Sequence, residues 1–299
     1  MVELLLTCKQ SDAEGYIESL DTALKAAVQA GYLNVIEALL KKEGCAHLHA
    51  RQQGVTALHI AIQHGYGSIA QQLVEAGFNQ NAHGAAGIDT PLICAIRIAN
   101  ADTVQRLLDL QADPNLRSAH TGMTPLAIAC HEADELKIRL LIAAGACVNE
   151  QESEGLTPLT YAARSGHTEV LALLIEHGAR VGGWQSCEED PLCIAALNGF
   201  TSYARALIAA GAPIVSGRPY GFSALNSASQ AGHVSILKYL LRQGISANAE
   251  SSPFGGTPLL VAAEKGQLAC MKVLLDAGAE VDRPDCDGHT ALYLAASAG

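Results

Sequence analysis

The chain has 299 residues, 49% of them hydrophobic but only 4% aromatic, and 30 acidic side chains outnumber 19 basic ones for a net charge of −11. With no basic run longer than Lys41-Lys42, it lacks the stripe of cations that neutralises nucleic-acid phosphates or docks on anionic membrane. No window approaches the ~20 apolar residues of a membrane span, and Met1 to Leu6 has neither the basic start nor the long apolar core of a secretory signal.

Taken in chain order, Val2, Leu5 and Leu6 carry one apolar helical stripe, and Leu6 precedes Leu24 by 18 residues, as Leu40 precedes Leu58. The chain is therefore read as opening inside the second helix of a half-repeat, residues 1–20. From there a helix-opening leucine returns at Leu24, Leu58, Leu92, Leu126, Leu159, Leu192, Leu225, Leu259 and Leu292, at intervals of 33 or 34. A fixed period of this size marks stacked units that bury their apolar faces only against their neighbours. The units are 21–53, 54–87, 88–121, 122–154, 155–187, 188–220, 221–254 and 255–287, closed by a half-repeat at 288–299. They form one array, and the period overrides the two-domain expectation from length.

Residues 155–179 show the unit most clearly. Thr157 is a helix N-cap and Pro158 sits at the first helical position, where its missing N–H costs nothing. Leu159, Ala162 and Ala163 share one face, and Gly166 ends the helix. A second helix carries Val170, Leu173 and Leu174 and stops at Gly178. Thr-Pro-Leu stands at residues 90–92, 124–126, 157–159 and 257–259; Thr22, Thr56 and Thr290 lead Ala variants, Ser223 a weaker one, and Asp190 replaces the threonine with another competent cap. At the far end Tyr293-Leu294-Ala295-Ala296 lacks a covering second helix. The expectation is an array cut at residue 299, with an apolar face exposed there.

This pattern resembles the ankyrin repeat, and the resemblance spans essentially the whole chain. It implies an all-α solenoid of helix-turn-helix units with hairpin loops. It further implies a protein-protein interaction module whose loop tips and first-helix outer residues line a concave groove. Two alternatives stay open: a targeting or regulatory arm of a larger enzyme or signalling protein truncated at residue 299, and a substrate of asparaginyl hydroxylation. The latter rests on Asn81, Asn115, Asn149 and Asn248 in the Gly-Ala-x-x-Asn slot, where hydrogen bonding to the hairpin is the plainer role.

Chemistry of its own is not expected. The nine cysteines are odd in number, form no Cys-x-x-Cys, and partly fill small-residue helix slots, which suits reduced thiols inside a cell. The spacing of Cys187 and Cys193 is not a zinc spacing, and the loop around Asp285 and Asp287 lacks the terminal carboxylates of a calcium loop. His59, His167 and His233 occupy structural slots. No cofactor, metal or catalytic residue is expected, and the chain is read as a monomeric, cytoplasmic or nuclear protein that is not an enzyme.

The partner surface is sought at the tips. Residues 184–254 hold seven of the aromatics, and Trp184, Tyr220, Phe222 and Phe254 fall in tips that are elsewhere polar or small. Aromatic and arginine side chains dominate binding hot spots, so these four, with Arg218 and the acidic Glu188-Glu189-Asp190 tip, are the leading candidates. The first-helix residues Arg97, His131 and Arg164 are the reserve set.

Overall fold

The computed structural model describes residues 13–41, 56–83, 88–98, 101–152, 155–182, 190–214, 223–250 and 256–298, and among them lie seventeen helices and no strand. Two compact units emerge, residues 1–129 with 134–147, and residues 130–133 with 148–299. The first holds α1 (Ala13–Ala30), α2 (Leu33–Leu40), α3 (Ala57–Gln63), α4 (Gly67–Glu75), α5 (Pro91–Arg97), α6 (Ala101–Asp109), the start of α7 (Pro125–Glu132) and α8 (Glu135–Ala143). The second holds the end of α7, then α9 (Pro158–Ser165), α10 (Thr168–Glu176), α11 (Pro191–Asn198), α12 (Thr201–Ala209) and α13 (Ala224–Ala231). It continues with α14 (Val234–Arg242), α15 (Pro258–Glu264), α16 (Leu268–Asp276) and α17 (Ala291–Ala298).

Each unit is two layers of helices. In the first, α1, α3 and α5 stack in succession, and α4, α6 and α8 form the other layer. In the second, α9, α11, α13, α15 and α17 stack as one layer and α10, α12, α14 and α16 as the other. Local chemistry sets where the first helices begin. Thr56, Thr90, Thr124, Thr157, Asp190, Ser223, Thr257 and Thr290 each accept a backbone N–H of the first turn at 2.8–3.5 Å, which satisfies one orphan donor of each helix.

Thr22 departs from this rule. It lies inside α1, and its hydroxyl donates to the Glu18 carbonyl at 2.9 Å, so Leu24 is buried but does not open a helix. Gly155 and Gly288 stand two residues before Thr157 and Thr290; Leu20 holds that place before Thr22, and nothing turns the chain.

The core repeats with the sequence. Leucine at the repeat position is at most 2% exposed from Leu24 to Leu259. Three residues on, Ala61, Ala95, Ala129, Ala162, Ala195, Ala228 and Ala262 are all 0% exposed. Leu292 is 77% exposed and Tyr293 55%. A fully buried leucine is worth about 1.5–3 kcal/mol relative to an exposed one, so this position is a substantial share of what holds each layer. Lys137 is a buried exception among apolar neighbours: its Nζ donates to the Ile96 carbonyl at 2.6 Å and pairs with Asp134 at 3.1 Å.

Glycine at the first-helix end has two reasons. Gly166 adopts φ +73°, and a Cβ there would lie 2.7 Å from the Phe200 ring, which covers it from the next repeat. Second helices end in the same left-handed turn at Gly145, Gly178, Gly211, Gly244 and Gly278, with open space around them, whereas Gln111 takes that turn with φ 64°. Left-handed backbone is strained for residues bearing a Cβ. Gln111→Gly should therefore stabilise the protein by about 0.5–1 kcal/mol in urea unfolding; a midpoint no higher than that of the parent would show that this turn stores no strain.

Candidate functional site

Five residues after the repeat leucine, the first helix turns a side chain outward. In the first unit these are Gln63 and Arg97; in the second, His131, Arg164, Leu197, Gln230 and Glu264. Arg97 is committed within the protein. Its Nε lies 3.4 Å from Asp89 Oδ2, while Asp89 Oδ1 accepts the Ser118 hydroxyl at 2.6 Å and the Ala119 N–H at 2.9 Å. Asp89 is buried, so this carboxylate ties the loop before α5 to the next hairpin and uses Arg97 as its counter-charge.

His131 and Arg164 do come together. Both flank Tyr161, His131 edge-on with ring centroids 6.4 Å apart and Arg164 with its guanidinium carbon 5.9 Å from the ring centre. Tyr161 is buried, the two flanking groups are exposed, and Leu197 at the same helical position of the next repeat is 45% exposed. A cation, an aromatic ring and an exposed leucine thus sit on the first-helix face of the second unit. Tyr161 and Leu197 were not singled out from sequence, although Leu197 stands five residues after Leu192, the same register as His131 after Leu126. Trp184, Glu188, Glu189, Arg218, Tyr220, Phe222 and Phe254 lie outside the described residues.

Of the histidines expected to be structural, His59 and His233 bond to backbone carbonyls, whereas His167 stands at the helix N-cap with no side-chain cap bond. His59 Nε2 lies 2.9 Å from the Asp89 carbonyl and Nδ1 lies 2.7 Å from Thr56 Oγ1. A carbonyl can only accept, so Nε2 carries the proton and Nδ1 accepts from the threonine hydroxyl. Burial, the largest influence on this ring, lowers its pKa below the ordinary histidine value. Asn226 makes the equivalent bond, donating to the Gly256 carbonyl at 3.2 Å. His233 reaches the Leu197 carbonyl at 3.1 Å and Gln267 the Gln230 carbonyl at 3.2 Å, in both cases one repeat back rather than within the local turn.

The four asparagines form a ladder between successive turns. Their carboxamide oxygens accept the N–H of Asp113, Cys147, Arg180 and Glu280 at 2.8 Å, and Asn115, Asn149 and Asn248 donate back to Gly145, Gly178 and Gly278. This is the hairpin-bonding role. The ladder breaks at Gly182, which stands in the asparagine slot and would place a Cβ 3.0 Å from Pro213. Pro213 occupies the donor position and has no N–H, so acceptor and donor are missing together.

Among the described residues Asp285, Asp287 and His289 could gather metal-ligating atoms within 4.8 Å of one another. Asp285 Oδ1 instead accepts the N–H groups of Asp287 at 3.0 Å and His289 at 2.8 Å, and the His289 bond is the largest cause holding this carboxyl below its ordinary value. Ser118 closes its hairpin the same way with its hydroxyl. Cys130 and Cys193 are buried and Cys94 half-buried; burial pushes the Cys94 thiol up to about 11. Such thiols pack as small apolar groups.

A family model described as ankyrin repeats in three copies matches residues 1–84, 92–183, 181–251 and 245–299. The chain belongs to the ankyrin-repeat family. Ankyrin repeats are protein-interaction modules, ordinarily without catalysis of their own. Among curated proteins, 80 residues are 32% identical to alpha-latrotoxin-Lg1a of Latrodectus geometricus, covering 26% of this chain and 6% of that protein. A stretch of 83 residues is 32% identical to ankyrin repeat domain-containing protein 37 of Xenopus tropicalis, covering 28% and 50%. Another of 86 residues is 29% identical to the E3 ubiquitin-protein ligase KEG of Arabidopsis thaliana, covering 29% and 5%. The matched region thus spans half or much less of each relative. No described helix is long and apolar enough to cross a membrane.

Two outcomes follow from these bonds. Gly182→Asn or Pro213→Ala alone cannot restore the ladder, but together they supply acceptor and donor. The double variant should exceed the sum of the singles by about 0.5–1.5 kcal/mol in unfolding free energy; simple additivity would mean that the slot cannot hold the bond. For His59, the unfolded chain takes up a proton near pH 6.5 that the native ring resists. Stability is complete above that pH and declines as pH falls below it. Unfolding midpoints measured from pH 7 to 5 should fall less steeply for His59→Gln than for the parent; equal slopes would show that His59 contributes nothing to the acid sensitivity.

Proposed function

We propose that this ankyrin array is a monomeric, cytoplasmic protein-interaction module, with no catalysis, cofactor or metal of its own, whose units keep the boundaries set by the 33–34-residue period. The partner is another protein, seated on the first-helix face and loop tips of the fifth to eighth repeats. The observation that carries this reading is the surface at Tyr161. A buried ring flanked by His131 and Arg164, with Leu197 exposed beyond it, has the aromatic, cationic and apolar make-up of a hot spot. Trp184, Tyr220, Phe222 and Phe254 extend the same chemistry along the tips, with Arg218, Glu188 and Glu189 setting orientation.

A second reading makes the array the targeting or regulatory arm of a longer enzyme or signalling protein. The match to an E3 ubiquitin-protein ligase, confined to 5% of that protein, supports it, and the length of the native protein on a denaturing gel tests it.

The main reading is tested by capturing partners from native cells and measuring the affinity of the recovered protein for variants. Trp184→Ala with Tyr220→Ala should weaken binding by roughly thirtyfold or more while the helical signal persists. Undiminished binding by that variant, with loss in Arg164→Ala, would confine the interface to the first-helix residues and exclude the tips. If neither variant changes the affinity, this face does not bind the partner.

A further inference from the structure

Between Asp190 and Glu250 the chain contains no acidic residue. The 59 residues 191–249 hold Arg205, Arg218, Lys238 and Arg242, while the other 240 residues carry fifteen cations and all thirty acids. The fold places Arg205 and Lys238 of this window on one layer with Lys272, which follows it in the chain. Arg205 lies two residues after the buried Tyr203 of α12, Lys238 two after Ile236 of α14, and Lys272 two after Cys270 of α16. The three helices pack in that order, which spaces the cations roughly 8–10 Å apart. Arg242 sits one turn beyond Lys238 on the same face. Between the rows Tyr239 lies beneath Arg205, ring centre to guanidinium carbon 5.5 Å.

Among the described residues none of Arg205, Lys238, Arg242 and Lys272 has a carboxylate partner, and all four are exposed. Among the described residues Lys41, Arg164 and Arg180 also lack one, but none of those three stands on a second helix. Lys25, Arg106 and Arg139 each pair with an acid one turn away on their own helix, and Arg97 and Lys137 are held by Asp89 and Asp134. Glu250, which closes the window, and Glu280 beyond it are paired with Arg283. Asp276, one turn beyond Lys272, is the acid that shares the face.

We propose that the outer face of α12, α14 and α16 is a second docking surface, and that its partner is an acidic peptide segment of another protein. A row of like charges without counter-charges carries electrostatic free energy that an anionic ligand relieves. The spacing selects the ligand class. An extended peptide rises about 3.3 Å per residue, so carboxylates at every third residue fall on successive helices. Duplex DNA presents a charge about every 1.7 Å, far denser than this row can neutralise. A flat anionic membrane would bring the remaining acidic surface against its own charge. Tyr239 adds an apolar ring for the side chains between carboxylates. This surface lies on the second-helix layer, apart from the first-helix face proposed above, and the two can fail separately.

The test uses the whole chain and a fluorescein-labelled peptide of about twelve residues, with glutamate at every third position and serine or alanine between. Saturable binding is expected at low salt, at least about tenfold weaker for the matched glutamine peptide and weakening as salt rises. Lys238→Glu with Lys272→Glu should lower the affinity at least about tenfold with an unchanged helical signal. Lys238→Gln with Lys272→Gln should lower it less but measurably. Arg139→Glu, at the equivalent helical position but already paired with Glu135, should leave binding unchanged, and so should Trp184→Ala with Tyr220→Ala. Binding as tight in the Lys238/Lys272 variants as in the parent would overturn the proposal. So would an equal loss in Arg139→Glu, equal capture of the glutamine peptide, or binding of duplex DNA or phosphatidylserine vesicles in place of the peptide.

Discussion

The contact between a repeat leucine and the alanine three residues along the helix governs everything else in this molecule. Leu159 and Ala162, Leu192 and Ala195, Leu225 and Ala228 are buried to within 2% of completeness, and an alanine there leaves no volume for anything larger between stacked first helices. A methylene added at such a position forces neighbouring helices apart, and interiors packed to this density absorb the change poorly. The constraint explains the composition as well: thin layers are filled by leucine and alanine, and large buried rings are few, as at Tyr161 on α9 and at Tyr203 on α12, whose hydroxyl donates to the Leu159 carbonyl at 3.2 Å.

A stack held by small apolar residues is well packed but weakly specified in register, because one layer resembles the next. Polar bonds between successive repeats supply the specification. His59 to Asp89, Asn226 to Gly256, the asparagine ladder and the reach of His233 and Gln267 each join groups about 30–37 residues apart. A shift in register would break all of them, and for the buried His59–Asp89 bond it would leave a group unpaired at about 1–3 kcal/mol. The gap at Gly182 and Pro213 obeys the same rule from the other side: where the donor is lost, the acceptor is lost too, and nothing polar is stranded.

With packing and register fixed by so few positions, the outward residues are free to carry function. The first-helix face bears His131, Tyr161, Arg164 and Leu197, and the second-helix face bears Arg205, Lys238, Arg242 and Lys272, none of them paired with a carboxylate among the described residues. Both depend on the repeat to align chemistry that is 33 or 34 residues apart in the chain. Arg97 shows the limit of reading function from such alignment. It occupies the same register as His131 and Arg164, yet a buried carboxylate at Asp89 claims it, and an arginine held in that way offers a partner less than its position promises.

The sequence by itself determined the period, the helix caps and the buried faces, because each rests on interactions within a few residues: a hydroxyl over a first-turn N–H, a glycine in a left-handed turn, an apolar stripe at 3.6-residue spacing. It also marked the asparagine slot and the structural histidines. The failure at Thr22 has a local origin too: a cap motif works only where the preceding chain turns, and Thr22 lies inside α1, its hydroxyl donating to the Glu18 carbonyl one turn back. Tertiary structure alone decided which outward residues are free. The pairing of Arg97 with Asp89 depends on how the loop before α5 folds back and is bonded to the next repeat's hairpin, while the ring of Tyr161 between His131 and Arg164 and the unpaired row on α12, α14 and α16 depend on distances between neighbouring repeats. Electrostatic and ring contacts act through space over a few ångströms, and residues a full repeat apart in the chain meet at that range only after the helices have stacked.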